Sequence, residues 1–148
     1  MARRYSVTGT DTNTASTTIL GITGGTGIRP LVYEVIIGPN SAPVDSYAEY
    51  VLQRTTAAGT STAVTPQALE SSDPAATTAS GMAHTVEPTY TANAILLQLP
   101  VYSRSTMRWQ TLPEFGLKVP ATSANGLGIL VTAVGTTQTV RCVMHFEE

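Results

Sequence analysis

The chain has 148 residues, of which 42 % are hydrophobic and 12 % charged, and its formal net charge is −2. This length predicts one domain with a buried core, and the near-neutral charge excludes a strong electrostatic attraction to nucleic acid or anionic lipid. Threonine is the most frequent residue, whereas lysine and cysteine each occur once, as Lys118 and Cys142. The lone cysteine excludes an internal disulfide.

The first 17 residues predict an extended N-terminal arm, because small polar residues dominate after Arg3-Arg4-Tyr5. No apolar run follows these basic residues, so we expect no secretion signal, and no segment is apolar for long enough to span a membrane. The arm is expected either to be disordered or to become ordered on an acidic partner surface. Its candidate interface residues are Arg3, Arg4 and Tyr5, and residues 18–148 are predicted to form the single folded domain.

The glycine-rich run Gly24-Gly25-Thr26-Gly27 predicts a turn rather than a phosphate-binding loop. A phosphate loop needs a lysine after its last glycine and a helix that starts there. Ile28-Arg29-Pro30 follows instead, and the proline prevents a helix from continuing.

Two strands are predicted after this turn. Residues 31–37 predict a strand in which the odd-numbered positions form an apolar face, while Val32, Glu34 and Ile36 form the other face. Residues 45–55 are ambiguous, because Ser46 and Glu49 have the spacing of a helix capping box. We prefer a strand there, since residues such as Tyr50 suit a pleated surface.

Residues 56–92 predict one long loop rich in Ala, Thr and Ser. Such a length is uncommon in a compact domain unless the loop has a function. Within the loop, Asp73-Pro74 and Gly81 predict a short helix, with Asp73 as its N-cap and Gly81 as its C-terminal stop.

The second half of the chain alternates apolar and polar residues more regularly, with strand patterns over 95–101, 104–110, 115–119, 127–134 and 140–146. The whole chain thus has roughly seven or eight short strands, which predicts an all-β, antiparallel β-sandwich. Residues 127–134 are apolar on both faces, so this strand is either central or covered by a neighbour. Because it suits burial against another protomer, Leu130 and Val134 are candidate interface residues.

The few reactive residues do not form a catalytic or metal-binding pattern. The candidate metal ligands are His84, Glu87, His145 and Glu147. Zinc sites use three or four ligands in which His or Cys usually predominates, and Cys142 faces away from His145. Cys142 is predicted to be a buried, inert thiol because it alternates with apolar residues. We therefore expect no cofactor and no metal.

Arg104, Arg108 and Trp109 invite a nucleic-acid interpretation, since arginine and an aromatic ring together can grip phosphate and base. Strand alternation places Trp109 on the face opposite both arginines, so the ring and the arginines cannot bind the same nucleic acid together. We therefore expect a core tryptophan, no nucleic-acid binding, and a partner-facing surface that includes Arg104 and Arg108.

From about residue 31 onward, the chain resembles the small jelly-roll decoration (cement) proteins on the heads of tailed bacteriophages. The matching stretches are 55–66 (TTAAGTSTAVTP), 84–91 (HTVEPTYT), 104–109 (RSTMRW), 119–126 (VPATSANG) and 145–148 (HFEE). The likeness lies in the order and character of these segments rather than in a catalytic motif.

The resemblance implies a jelly-roll-like β-sandwich that is a structural virion protein and not an enzyme. Such a protein is expected to form a homotrimer and to bind the major capsid protein on the outer surface of the head. It would stabilise the shell by bridging coat subunits, after assembly in the host cytoplasm.

Two alternatives stay open. One is another phage structural module, such as a head fibre base, a tail component or a receptor-binding jelly roll. The other is a carbohydrate-binding or hydrolytic β-sandwich that depends on Glu87 or His84. The position of the protein on particles tests the first alternative, and glycan binding or hydrolysis tests the second.

Overall fold

The computed structural model describes residues 2–148, and its regular structure is almost entirely β-strand. One 3-10 helix, η1, lies at Pro113–Phe115, and no α-helix occurs among the described residues. The strands are β1 (Arg4–Thr12), β2 (Thr18–Thr23), β3 (Leu31–Pro39), β4 (Tyr47–Ala57), β5 (Thr60–Ala63), β6 (Gln67–Ala68), β7 (Ala79–Val86), β8 (Thr89–Tyr102), β9 (Met107–Gln110), β10 (Leu117–Lys118), β11 (Gly126–Val134) and β12 (Thr139–Glu147).

The strands form two six-stranded antiparallel sheets that pack against each other. Sheet A has the order β10–β3–β12–β1–β6, with β9 also paired to β3, and sheet B has the order β5–β7–β2–β11–β4–β8. Within them, β1–β12–β3–β9 opposes β2–β11–β4–β8, which is the strand order of a jelly roll. The expected all-β, jelly-roll-like sandwich is confirmed.

The core lies between the sheets and follows strand alternation. The inward side chains of β12 are all buried, namely Val140, Cys142, Met144 and Phe146. Each large side chain of this layer contributes roughly 1.5–3 kcal/mol by leaving water. Trp109 is partly buried and packs against the same cluster, so its predicted inward orientation is confirmed although it is not a fully buried core residue.

The predicted N-terminal arm is wrong, because most of it forms β1 within sheet A. β1 pairs with β12 over its whole length, from Arg4 opposite Glu147 to Thr12 opposite Thr139. Its polar composition reflects one solvent-facing side, and few apolar residues are needed where neighbouring strands supply the hydrogen bonds. No domain boundary falls at residue 18, because β1 and β2 belong to opposite sheets of one sandwich.

The single loop predicted over residues 56–92 is also wrong, because this segment contains β5, β6, β7 and the start of β8. No helix forms between 73 and 81. The Asp73 amide donates to the Glu70 carbonyl at 3.0 Å in a turn, and β7 begins at Ala79. Pairing of β7 with β2 and β5 overrides the local capping signal, and threonine tolerates the extended backbone well.

Two other sequence questions are settled by strand pairing. The ambiguous segment forms β4, so the preferred strand is confirmed. β11 is central in sheet B, between β2 and β4, which explains its two apolar faces. Leu127 and Ile129 fill the core, while Gly128 on the other face lies under the Tyr90 ring, which leaves no room for a Cβ.

Candidate interaction surface

Arg4 is the first residue of β1 and Arg3 precedes it, and both are exposed and form ion pairs within the chain. The Arg3 Nε atom is 3.9 Å from Asp73 Oδ1, and the Arg4 Nε atom donates to Glu147 Oε2 at 3.1 Å. These exposed pairs contribute little to stability, so both arginines stay accessible to a partner.

Tyr5 is fully buried, which corrects its prediction as an interface residue. Its ring stacks on Phe146 with the centroids 5.5 Å apart, and its hydroxyl donates to the Pro74 carbonyl at 3.1 Å. The reason is the strand that replaces the predicted arm, because β1 alternation points Tyr5 into the core.

Arg108 lies on the outer face of sheet A, where it pairs with a buried carboxylate. Glu34 is 5 % exposed, and it accepts hydrogen bonds from Arg108 Nε and, at 2.5 Å, from His145 Nδ1. Burial by itself raises the pKa of Glu34, but the hydrogen bonds from His145 and Arg108 outweigh burial and hold that pKa below its usual value. The Arg108 side chain therefore already forms an ion pair with Glu34 within the chain.

The pairing of His145 with Glu34 is chemically incomplete as a catalytic arrangement. Within residues 2–148, no hydroxyl or thiol is hydrogen-bonded to His145. A Ser–His–Asp arrangement requires such a nucleophile beside the histidine. The cluster gives the buried Glu34 carboxylate on β3 one hydrogen-bond partner on β9 and another on β12.

The other scarce reactive groups hold the fold together. Cys142 is fully buried and burial raises the pKa of its thiol, so the predicted buried thiol is confirmed. The His84 Nδ1 atom lies 3.2 Å from the Thr18 carbonyl, and the Thr18 amide donates to Glu87 Oε2 at 2.9 Å. Both backbone groups at the start of β2 thus have side-chain partners. Within residues 2–148, no group of three or more side chains is arranged to hold a metal ion.

Arg104 lies beside an exposed tyrosine pair that sequence reasoning missed. Tyr47 on β4 and Tyr102 on β8 are cross-strand partners, and they are 60 % and 52 % exposed. Asp45 Oδ1 accepts a hydrogen bond from Tyr102 Oη at 2.7 Å and forms an ion pair with Arg104 Nε at 2.5 Å. The result is an aromatic surface bordered by charged groups. Strand alternation in the sequence could have placed Tyr47 on the outer face of β4, because its neighbour Ala48 points into the core.

Leu130 lies on the same outer face of sheet B as this tyrosine pair. It is half-buried opposite Val51, and Ile95 on β8 is 47 % exposed nearby on that face. Glu49 interrupts the apolar surface and accepts a hydrogen bond from Gln98 Nε2 at 2.6 Å. Leu130 is thus placed where a partner can reach it.

Val134 packs partly against the core, in contrast to its prediction as an interface residue. Strict alternation would place it on the face of Leu130. The register of β11 against β4 shifts between Val131 and Ala133, and this irregularity turns the following side chain to the other face.

β8 forms an open edge of sheet B. It is 14 residues long and pairs only with β4 among the described residues. Its other side is paired with no described strand, so its residues other than Pro100, which lacks an N–H, can offer main-chain groups to another strand. We call this edge, together with the outer-face residues Tyr47, Ile95, Tyr102 and Leu130, the β4–β8 surface.

No family model matches the chain, and no curated protein matches it. In the part of the chain that the structure describes, no helix is long and apolar enough to cross a membrane.

Proposed function

We propose that this protein is a structural virion component that binds the outer surface of a tailed-phage head and stabilises the capsid by bridging coat subunits. The observation that carries the proposal is the β4–β8 surface, which combines exposed aromatic side chains with an open strand edge. Aromatic residues are enriched at protein interfaces, and soluble proteins normally cover or blunt a long strand edge. The likeness of segments such as 84–91 to head decoration proteins supplies the phage context.

A homotrimer would cover this surface with copies of the same chain. In a cyclic trimer, the β4–β8 surface of one copy contacts a different surface of the next. The assembly then presents several equivalent contacts to the major capsid protein, so that individually weak contacts give strong binding to the shell.

The engagement of the reactive side chains supports a binding role over a catalytic one. His84 contacts the backbone of Thr18, His145 is hydrogen-bonded to Glu34, and Cys142 is buried. Each of these groups therefore has a structural contact that explains its position.

The first test is the mass of the purified protein in solution by light scattering. We expect about three times the chain mass of 15.5 kDa. The double variant Tyr47→Ser/Tyr102→Ser should shift toward the monomer, because it removes apolar interface area. The matched control Leu112→Ser/Phe115→Ser removes exposed apolar side chains near η1 and should keep the wild-type mass. A strictly monomeric wild-type protein would contradict the trimer.

The second test is a cryo-EM reconstruction of phage heads incubated with the protein. We expect additional density on the outer capsid surface, and weaker density when the tyrosine double variant is used. Density confined to the tail would favour a tail or receptor-binding module instead. Absence of any added density would contradict binding to the head.

The tyrosine pair also favours a second candidate function, which is glycan binding. Flat aromatic faces carry apolar contact area, and polar groups such as Asp45 and Arg104 beside them can bond sugar hydroxyls. A glycan array on wild type and on Tyr47→Ser/Tyr102→Ser tests this candidate. Specific glycan binding that the double variant loses would support it, and an array without specific binding would exclude the glycans tested.

A further inference from the structure

The protein is acidic overall, yet the charged side chains of one groove are all basic. Arg29, Arg54 and Lys118 line a groove of about 450 Å³, together with uncharged residues that include Val119 and Pro120. The groove lies where the β2–β3 connection, β4 and the segment after β10 meet. None of the described residues that line the groove carries a carboxylate.

Among the residues that the structure describes, these three cations have no acidic partner. The arginines that form ion pairs with carboxylates are Arg3, Arg4, Arg104 and Arg108. Within residues 2–148, Arg29, Arg54 and Lys118 form no ion pair. Their charges are therefore available to an external anionic group.

Main-chain contacts hold one wall of the groove in place. The Arg54 Nη1 atom donates to the Lys118 carbonyl at 3.0 Å, and the Val119 amide donates to the Pro30 carbonyl at 2.8 Å. Gly24 packs so closely against the Pro120 carbonyl that a Cβ would not fit there. An arginine has five N–H donors, so Arg54 keeps others for a ligand. Pre-organisation of this kind lowers the entropy cost of binding.

We propose that the groove binds an acidic peptide segment of a partner polypeptide. The three cations recognise carboxylates, and the uncharged wall of Val119, Pro120 and Ala121 contacts the peptide between its charges. A free phosphate would use the cations but not this wall. The groove volume also falls within the range of roughly 300–1,000 Å³ that is typical of ligand sites.

This site shares no lining residue with the β4–β8 surface and does not rest on the proposed function. The test uses fluorescence anisotropy with fluorescein-labelled hexa-aspartate, and hexa-asparagine serves as the uncharged control peptide. We expect saturable binding of hexa-aspartate only. Binding should weaken as salt rises, because the screening length falls from about 30 Å at 0.01 M to about 10 Å at 0.1 M.

The variant Arg29→Gln/Arg54→Gln/Lys118→Gln is expected to bind hexa-aspartate at least about tenfold more weakly, because it removes every charge that the peptide contacts. The matched control is Arg141→Gln. Arg141 forms no ion pair with any described residue and does not line the groove, so the affinity of this variant for hexa-aspartate should stay within about twofold of wild type. Circular dichroism checks that each variant is folded. If the triple variant does not fold, Lys118→Gln alone replaces it, with an expected loss of about threefold.

An equal loss in Arg141→Gln, or equal binding of hexa-asparagine, would overturn the proposal. Tighter binding of a six-nucleotide oligothymidylate, or displacement of the peptide by inorganic phosphate at lower concentration than by unlabelled peptide, would also overturn it. Those results would assign the groove to phosphate groups. Because no phage particle is present, failure here leaves the trimer and head-binding tests unaffected.

Discussion

Replacing Glu34 with glutamine tests whether the buried cluster on sheet A stabilises the fold. The Glu34 carboxylate accepts hydrogen bonds from Arg108 and His145 and is almost completely buried. Glutamine keeps the size of the side chain and one acceptor oxygen, but it removes the charge and turns an NH₂ group toward one of the two donors. The variant therefore replaces two hydrogen bonds to a carboxylate with at most one hydrogen bond to an uncharged amide oxygen.

The expected magnitude follows from the exposure of the two partners. Hydrogen bonds to charged groups contribute about 1.5–3 kcal/mol each, and neutral ones about 0.5–1.5 kcal/mol. The Arg108 side chain is 58 % exposed and can be hydrated when its partner is lost, whereas that of His145 is 23 % exposed. We therefore expect Glu34→Gln to lower the free energy of unfolding by about 2 kcal/mol at pH 7. Arg108→Gln should lower it by less than about 1 kcal/mol.

The stability that Glu34→Gln loses should be larger at neutral pH than in acid. The pKa of Glu34 in the folded protein lies below its ordinary value of 4.5. The charge of Glu34 therefore stabilises the fold fully above that ordinary value, and this stabilisation is lost as the pH falls through the lower folded pKa. The difference between wild type and Glu34→Gln should shrink accordingly in acid.

The assay is urea unfolding followed by the fluorescence of Trp109, the single tryptophan, at pH 7 and pH 3.5. Protein concentration is held fixed, because self-association makes apparent stability depend on it. Glu49→Gln is the matched control, since Glu49 bonds Gln98 and Thr132 but no cation, and we expect a change under about 0.5 kcal/mol. Equal stability of Glu34→Gln and wild type at pH 7, or an unchanged difference at pH 3.5, would refute the reasoning.

Three further variants and one reagent test the packing. Gly128→Ala should lower the free energy of unfolding by about 1–3 kcal/mol, because Tyr90 occupies the space of the new methyl group. Tyr90→Ala should reduce this loss, and Gly21→Ala, where the nearest atom is 3.6 Å away, should cost less than 1.5 kcal/mol in the same urea titration. Cys142 should react with Ellman's reagent only after unfolding, because burial shields the thiol and raises its pKa. A fast reaction of the native protein would contradict its burial.

Strand alternation in the sequence was sufficient wherever large apolar side chains mark one face. The inward residues of β12, such as Met144 and Phe146, were assigned in this way, and all of them are buried. The same reasoning failed for β1 and β7, whose residues are mostly small or polar. Those strands form because partners far along the chain complete their hydrogen bonds, as β12 does for β1.

The candidate sites were harder to predict than the core. Glu34 lies 74 residues from Arg108 and 111 residues from His145, so no spacing in the sequence links them. Val134 was assigned to the outer face because alternation assumes an uninterrupted strand, and the irregularity in β11 breaks that assumption. Tyr47 was not predicted as an interface residue, although strand alternation places it on the outer face of β4.

Composition and alternation by themselves determined the all-β class and the residues that fill much of the core, since burial in a strand follows a local period of two. Tertiary structure alone decided that residues 4–12 and 79–86 are strands, that β8 is an open edge, and that Arg29, Arg54 and Lys118 share a groove. These features depend on register and pairing between distant segments. Main-chain hydrogen bonds make those pairings, and every residue except proline can donate such a bond whatever its side chain.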